Sequence, residues 1–519
     1  MKYYLLLINI LIVFKAFGQD YIDQKYDQQR ILLNRGGGGC ENFDTTIKEI
    51  KYGTVFDFSS DTLMLSSFED ERFRYYPFGF HSSQICNKSG KNIAFFNGIY
   101  LMDQFGLSTR MDVFGSFEPY PFETLNIRNS SVILPFPGID STYILIGTND
   151  HQDHPNFVIP VPNVISAVTF KENNLGKLDI INEQKEVARG EFSSNVVISS
   201  CRHANGRDWW IICANRLSMN FTSLLLDPSG LKFNETYNAG DSVLAYNTFS
   251  SGFSPDGNFY ARTAGENKNP PSQFRKHNRA QIFKFDRCSG RLFDPINFYM
   301  PDEDTANISQ VLFDKNSSRA YIPTGGGVWQ GDMSAVDVPN SFKKVGYMDH
   351  DKIEKFTPLY VGVGFQGPDN KMYFFDDNNK FGVSVINHPE LEGTACEFEY
   401  SAFYKPSCTG MSVGNMPYFS LGPLDGSPCD TLGLDNPLTT IVKKPFIQKQ
   451  IYPNPTTGLI YLDLDPALHN LDVKILDIQG RVILNTKGID LHRGVDLNFF
   501  TNGIYFVKVG GGVRKVLKI

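Results

Sequence analysis

Ser254-Pro-Asp-Gly-Asn-Phe-Tyr260 is a turn that runs straight into the start of a short aromatic strand. The same unit recurs on both sides of it. Upstream, Asn87-Lys-Ser-Gly-Lys-Asn92 precedes Ile93-Ala-Phe-Phe96, and Gly138-Ile-Asp-Ser-Thr142 precedes Tyr143-Ile-Leu-Ile146. His203-Ala-Asn-Gly-Arg-Asp208 then leads into Trp209-Trp-Ile-Ile212. Downstream come Asp314-Lys-Asn-Ser-Ser-Arg319 with Ala320-Tyr-Ile322, and Gly367-Pro-Asp-Asn-Lys371 with Met372-Tyr-Phe-Phe375. Strand starts at 93, 143, 209, 259, 320 and 372 give steps of 50, 66, 50, 61 and 52 residues.

A unit this small cannot bury both faces of its strands, so the units must stack. Steps of this length suit four-stranded blades of a β-propeller with loop insertions. A parallel β-helix would repeat at a much shorter period, and helical repeats would show a 3.6-residue apolar period that is absent here. Six units are visible. A further blade is expected from the chain ends, with Val55 to Phe58 pairing near Tyr418 to Leu421, which closes the ring and removes open sheet edges. Seven blades is the predicted count, six or eight the alternatives. Ser254-Pro-Asp-Gly257, Gln281-Ile-Phe-Lys-Phe-Asp286 with Cys288-Ser-Gly290, and Lys91-Asn-Ile-Ala-Phe-Phe96 resemble the WD-repeat-like propellers of secreted bacterial proteins, over roughly 53–422. That resemblance implies a fold and assigns no activity.

From Ile451 the pattern changes to compact strands with tight turns, after a Pro-containing segment that reads as a linker. Leu459 to Leu464, Val473 to Leu476, Arg481 to Leu484, Gly503 to Val509 and Arg514 to Ile519 are the clearest strands. They predict a small antiparallel β-sandwich of about seven strands. The predicted organisation is therefore all-β: a signal peptide at 1–18, a β-propeller at 19–429, a linker at 430–450 and a sandwich at 451–519.

Tyr452-Pro-Asn-Pro-Thr-Thr-Gly458, Val473-Lys-Ile-Leu-Asp-Ile-Gln-Gly-Arg481, Gly503-Ile-Tyr-Phe-Val-Lys508 and Lys515-Val-Leu-Lys518 resemble the type IX secretion sorting domain. The matching landmarks are Pro453, Asn454, Pro455, Gly458, Gly480, Arg481, Gly503, Tyr505, Lys508 and Lys515. The resemblance implies passage to the periplasm, then across the outer membrane by the type IX machinery. It also implies removal of the domain on the way, with the cargo released or held at the cell surface. An accessory carbohydrate-binding or adhesive sandwich is the competing reading.

The N-terminus agrees with export. Lys2, an apolar run from Tyr3 to Phe14 and small residues at Ala16 and Gly18 read as a signal peptide cut before Gln19. The run is too short to cross a bilayer, and no later stretch would span one, so a soluble mature protein is expected. Charge is mildly acidic: 49 basic against 56 acidic residues, or −7, with the segment from Ile451 at +2 and the rest at −9. No basic stripe exists to displace counterions from nucleic acid, so nucleic acid is excluded as a partner. Eight cysteines in an exported chain permit disulfides. Cys201 and Cys213 flank one hairpin, but Cys201 should face Trp210, which sends the two sulfurs to opposite faces. Cys396 with Cys408 or Cys429 is the preferred pair.

Catalytic signatures are few. There is no G-x-S-x-G elbow, no H-E-x-x-H helix and no P-loop; Gly36 to Gly39 is followed by Cys40-Glu41. His151, Asp153 and His154 form the densest potential Zn²⁺ cluster, though their place after a strand and before Pro155 suits a solvated loop. Asp302-Glu-Asp304 and Asp376-Asp-Asn-Asn379 offer Ca²⁺ ligands without the full spacing of an EF-hand loop. No cofactor is expected beyond these Ca²⁺ or Zn²⁺ candidates. Trp209, Trp210 and Trp329 could stack on sugars, but paired aromatics in blade strands read first as core. The expected function is a non-catalytic propeller that binds an unknown surface protein or glycan outside the cell. The alternative is a secreted polysaccharide hydrolase or lyase with carboxylates in the propeller channel, which would need two of them about 5–10 Å apart.

Overall fold

The computed structural model describes residues 25–33, 53–60, 63–68, 82–114, 131–149, 164–190, 192, 198–215, 218–240, 248–264, 279–301, 308, 310–324, 326–347, 361–376, 382–407, 413–434, 451–461, 472–478, 481–509 and 512–519. The chain divides into two compact units between Asn436 and Pro437.

Unit one is a seven-bladed propeller. Each of the six visible sequence repeats is the second strand of a four-stranded antiparallel blade. In blades 2 to 7 these strands are Asn92–Phe96, Thr142–Asn149, Trp209–Ala214, Phe259–Ala264, Arg319–Thr324 and Met372–Asp376. The turns before them share a device in five blades. Asn87, Asn205, Asp256, Asp314 and Asp369 each accept a backbone N–H two residues on. That local bond folds the chain back without help from distant contacts, which is why the turns stand out in the sequence.

Second strands such as Trp209–Ala214 are buried along their whole length because blades pack against both of their faces. Outermost strands such as Leu178–Arg189 are mostly exposed. The core is accordingly a ring of clusters between neighbouring blades. One joins blades 2 to 4 around Ile146 and Trp209, the next joins blades 4 and 5 around Phe221 and Phe283, and others follow between blades 5 and 6 and between 6 and 7.

The closing blade differs from expectation. Blade 1 consists, among the described residues, of Gln29–Leu33, Gly53–Asp57 and Met64–Phe68, all from the N-terminal side. Val55 and Phe56 pair with Ile31 and Arg30 on one side and with Ser66 and Leu65 on the other. Tyr418 to Leu421 does not pair with this blade. The ring closes instead by packing: Phe56 and Phe58 of blade 1 meet Phe365, Tyr373 and Phe375 of blade 7. On the other flank, Gln84 of blade 2 both accepts from and donates to the Ile31 backbone. The freed C-terminal segment goes elsewhere, as described below.

The cysteines follow strand geometry. Cys201 lies opposite Trp210, and Cys213 opposite Ile198, so their sulfurs enter different inter-blade clusters. The preferred pairing of Cys396 is overturned: Cys396 is buried and free, while Cys429 bonds to Cys288, 141 residues earlier. Cys40 and Cys408 lie outside the described residues.

Unit two contains a four-stranded sheet in the order Val482–Lys487, Asp472–Leu476, Gly503–Val509, Gly512–Lys518, and a two-stranded pair of Leu459–Ile460 with Val495–Asp496. Ile460, Val473, Ile475, Leu497, Tyr505, Val507 and Val516 form the core between them. A short helix, Gly488–Arg493, joins the sheets. Six strands are thus described where about seven were expected.

Candidate functional sites: the channel strap and the C-terminal motif

The innermost strands of a propeller line its central channel. Here the walls carry small polar residues: Ser83 and Ser131 hydrogen-bond between blades 2 and 3, and Ser199 and Ser251 between blades 4 and 5. Into this space runs the segment after blade 7. Asn415 sits where inner strands begin. Its N–H donates to Ser82 at 2.8 Å, and its amide Nδ2 donates to the carbonyls of Ser131 at 2.9 Å and Ile198 at 2.7 Å. One residue therefore ties three blades together, two through its side chain and one through its backbone.

The same segment emerges at the opposite ends of the inner strands. Phe419 packs on Tyr26 and Trp209, with centroids 5.3 and 5.9 Å apart. Leu421 enters the cluster between blades 4 and 5. The Arg287 guanidinium donates to the carbonyls of Arg202, His203 and Gly422, and Leu424 N–H donates to Ala204 at 2.8 Å. Gly206 and Gly257, both with positive φ, let the strap lie against their turns: a Cβ on Gly206 would strike Pro423, and one on Gly257 would strike Leu421. The Cys288–Cys429 disulfide pins the strap just beyond. Residues 413–424 thus thread the ring from one face to the other.

Among the described residues, a cavity of about 90 Å³ lies between the strap and blades 1, 4, 5, 6 and 7. Small-molecule sites are usually ~300–1,000 Å³, so this one has room for a few waters. Asp27 is the only carboxylate among its described lining residues. Burial raises the Asp27 pKa and lowers that of Arg30 to about 10. Arg30 lies flat over Phe365, 4.3 Å from the ring centre, and donates to Val413 at 3.4 Å. Arg30 thereby fastens the strap to the N-terminal blade.

The other sequence candidates divide cleanly. His151, Asp153 and His154 lie outside the described residues, as do Asp302 to Asp304 and Asp377 to Asn379. Among the described residues no cluster of three metal-ligating side chains occurs. Trp209 and Trp210 are core: Arg202 stacks on Trp209 at 3.9 Å, and Trp210 Nε1 donates to the Arg287 carbonyl at 2.8 Å. Trp329 packs partly buried against Phe298. Asn415, Phe419 and Arg287 were missed by sequence reasoning. Gly414-Asn-Met-Pro-Tyr-Phe-Ser-Leu-Gly-Pro423 has no strand alternation, and only its lack of charge hints at burial.

In unit two the motif residues act on one edge. Asn454 imitates a strand residue: its Oδ1 accepts from Leu517 N–H and its Nδ2 donates to the Lys515 carbonyl, each at 2.8 Å. Thr456 continues with its own backbone, donating to the Leu517 carbonyl and accepting from Ile519 N–H. Pro453 and Pro455 add no N–H that would need a partner here. The last strand, otherwise an open edge, is thereby covered. Thr456 Oγ1 also accepts from Gly458 N–H, and Gly458 has no space for a Cβ beside Asn498. Arg481 closes its hairpin through two bonds to Asp477, at 2.7 and 3.0 Å. Tyr505 is buried and donates to the Thr501 carbonyl, while Gly503 pairs with Lys518. Lys508 and Lys515 are exposed, and Gly480 lies outside the described residues.

A protein-family model described as a secretion system C-terminal sorting domain matches residues 450–519. Unit two is a type IX sorting domain. The protein is accordingly exported through the periplasm and is secreted or attached at the outer-membrane surface. No helix among the described residues is long and apolar enough to cross a membrane. None of the curated proteins matches the chain. Among solved structures, a functionally unknown protein from Desulfotomaculum acetoxidans is 14% identical, covering 81% of this chain and 96% of its own, at a TM-score of 0.34. A periplasmic gluconolactonase of Pseudomonas aeruginosa is 12% identical over 81% and 94% of the two chains, also at 0.34. Likenesses of that size carry no argument about this chain's chemistry.

The edge bonds of the sorting domain make a direct prediction. Asn454→Ala removes two hydrogen bonds to the final strand, a loss of about 1–2 kcal/mol at an exposed edge. The Leu517 amide should then exchange faster with solvent than in the parent protein, while amides of the propeller's second strands keep their protection.

Proposed function

We propose that the propeller is a non-catalytic recognition module, exported by its sorting domain and displayed outside the cell, where its loop-bearing surface binds a protein or glycan. The observation that carries this reading is the threaded strap. A channel occupied by the protein's own residues 413–424, with Asp27 the only carboxylate among its described lining residues, does not supply the paired acids of a channel glycosidase. A rigid ring with variable loops is well suited to recognition. In this reading the signal peptide ends at Gly18, and the propeller and linker span 19–429 and 430–450.

The test uses the protein as it is exported against a glycan panel and surface extract. Saturable binding of one partner that survives moderate salt, with the partner recovered intact, is the expected result. A bound glycan that becomes shorter during the incubation would replace this reading with a polysaccharide hydrolase or lyase.

A further inference from the structure

The four-stranded sheet of the sorting domain has one face in the core and one turned outward. Alternation places Val473, Ile475, Tyr505, Val507 and Val516 inward. The outward face carries Lys474 directly opposite Lys508, and Leu476 opposite both Phe506 and Val482. Phe506 in turn faces Lys515, and Ile504 faces Leu517. Leu517 is 37% exposed and Val482 51% exposed.

Three features of this face need a partner. Like charges set opposite each other across a pair of strands repel, yet Lys474 and Lys508 are so placed. The side chains of Lys474, Lys508 and Lys515 are exposed and form no hydrogen bond or ion pair among the described residues. On its other side Lys474 faces Asn485, which carries no charge to offset it. The chain's charge is also divided: +2 from Ile451 onward and −9 before it. Exposed lysines with no acid beside them among the described residues are electrostatically complementary to an acidic partner, and the apolar side chains between them offer area to cover.

We propose that this outward face, with Lys474, Lys508 and Lys515 set among Leu476, Phe506 and Leu517, is the surface on which an acidic protein of the type IX machinery docks. The inference rests on the sorting role of residues 450–519 and adds which face is read. An incoming carboxylate-rich surface relieves the lysine repulsion while covering the apolar residues, so neutralisation and burial act together. The edge built by Asn454 and Thr456 supports this face, because it holds the last strand, and with it Lys515 and Leu517, in register.

The test is export of the full chain in a bacterium with a working type IX system. Lys474→Glu/Lys508→Glu/Lys515→Glu should accumulate in the periplasm, with the exported fraction down about tenfold or more, because like charges would now face each other across the interface. Lys474→Glu alone, far from the C-terminal edge, should give a smaller loss. Arg493→Glu, on the short helix, should export like the parent, and melting of each purified chain should show the sheet intact. Normal export of the folded triple variant would overturn the proposal, as would an equal loss from Arg493→Glu, which would make net charge the cause. A chain lacking 451–519 that still leaves the cell would instead sink the sorting role itself.

Discussion

Phe56→Ala should destabilise the propeller by about 3–5 kcal/mol, the usual cost of truncating a fully buried aromatic ring. Phe56 is wholly buried and touches three rings of blade 7, with centroids 5.8 Å from Phe365, 6.0 Å from Tyr373 and 5.8 Å from Phe375. Most propeller joints have chain continuity in support, since one blade leads into the next. The joint between blades 7 and 1 lacks it, and no strand crosses from one to the other among the described residues. Side-chain packing, aided by the Thr54–Ser407 hydroxyl contact at 2.7 Å, must therefore hold the ring shut. Urea unfolding of the full chain should show an earlier first transition, with hydrogen exchange rising first in Gly53–Asp57 and Met372–Asp376. A variant that loses stability evenly around the ring would mean that closure is not the weak joint.

Replacing both Cys288 and Cys429 by serine should cost about 2–4 kcal/mol, within the range of long-loop disulfides. The crosslink closes a loop spanning 141 residues, so it removes much freedom from the unfolded chain. Its position adds a second effect, because it anchors the exit of the channel strap. Without it, Arg287, the Leu424–Ala204 bond and the packing of Leu421 and Pro423 hold that end. Protease should then reach residues 425–434 more readily, and added reductant should no longer change the melting of the double variant, although it lowers that of the parent. The free cysteines among the described residues do not compensate: Cys86, Cys201, Cys213 and Cys396 are all buried, and burial pushes the Cys201 thiol up to about 12. Equal melting of parent and double variant would show that the strap is secured by packing alone.

Local chemistry accounts for what the sequence determined on its own. Turns such as Ser254 to Asn258 are closed by side chains within five residues, and the strand after each is apolar because blades cover both its faces. These signals need no distant partner, so the repeat located the starts of all six second strands to within a residue. The sorting motif was legible for a similar reason: Asn454, Thr456, Gly458, Asp477 and Arg481 act on the turns and edge of one small sheet.

Only the tertiary structure decided how the ring closes, what fills it and which cysteines meet. Each depends on residues more than a hundred positions apart. Arg30 reaches Val413, Arg287 reaches Gly422, and Asn415 reaches Ser131 and Ile198. The strap carries no sustained 2-residue or 3.6-residue pattern, since it is anchored by single contacts to several different blades and not by one continuous face. Periodicity reports a segment with one regular buried face; the strap is half-buried over 413–418 and buries Phe419 and Leu421 in separate clusters, so its role appears only when the blades around it are in place.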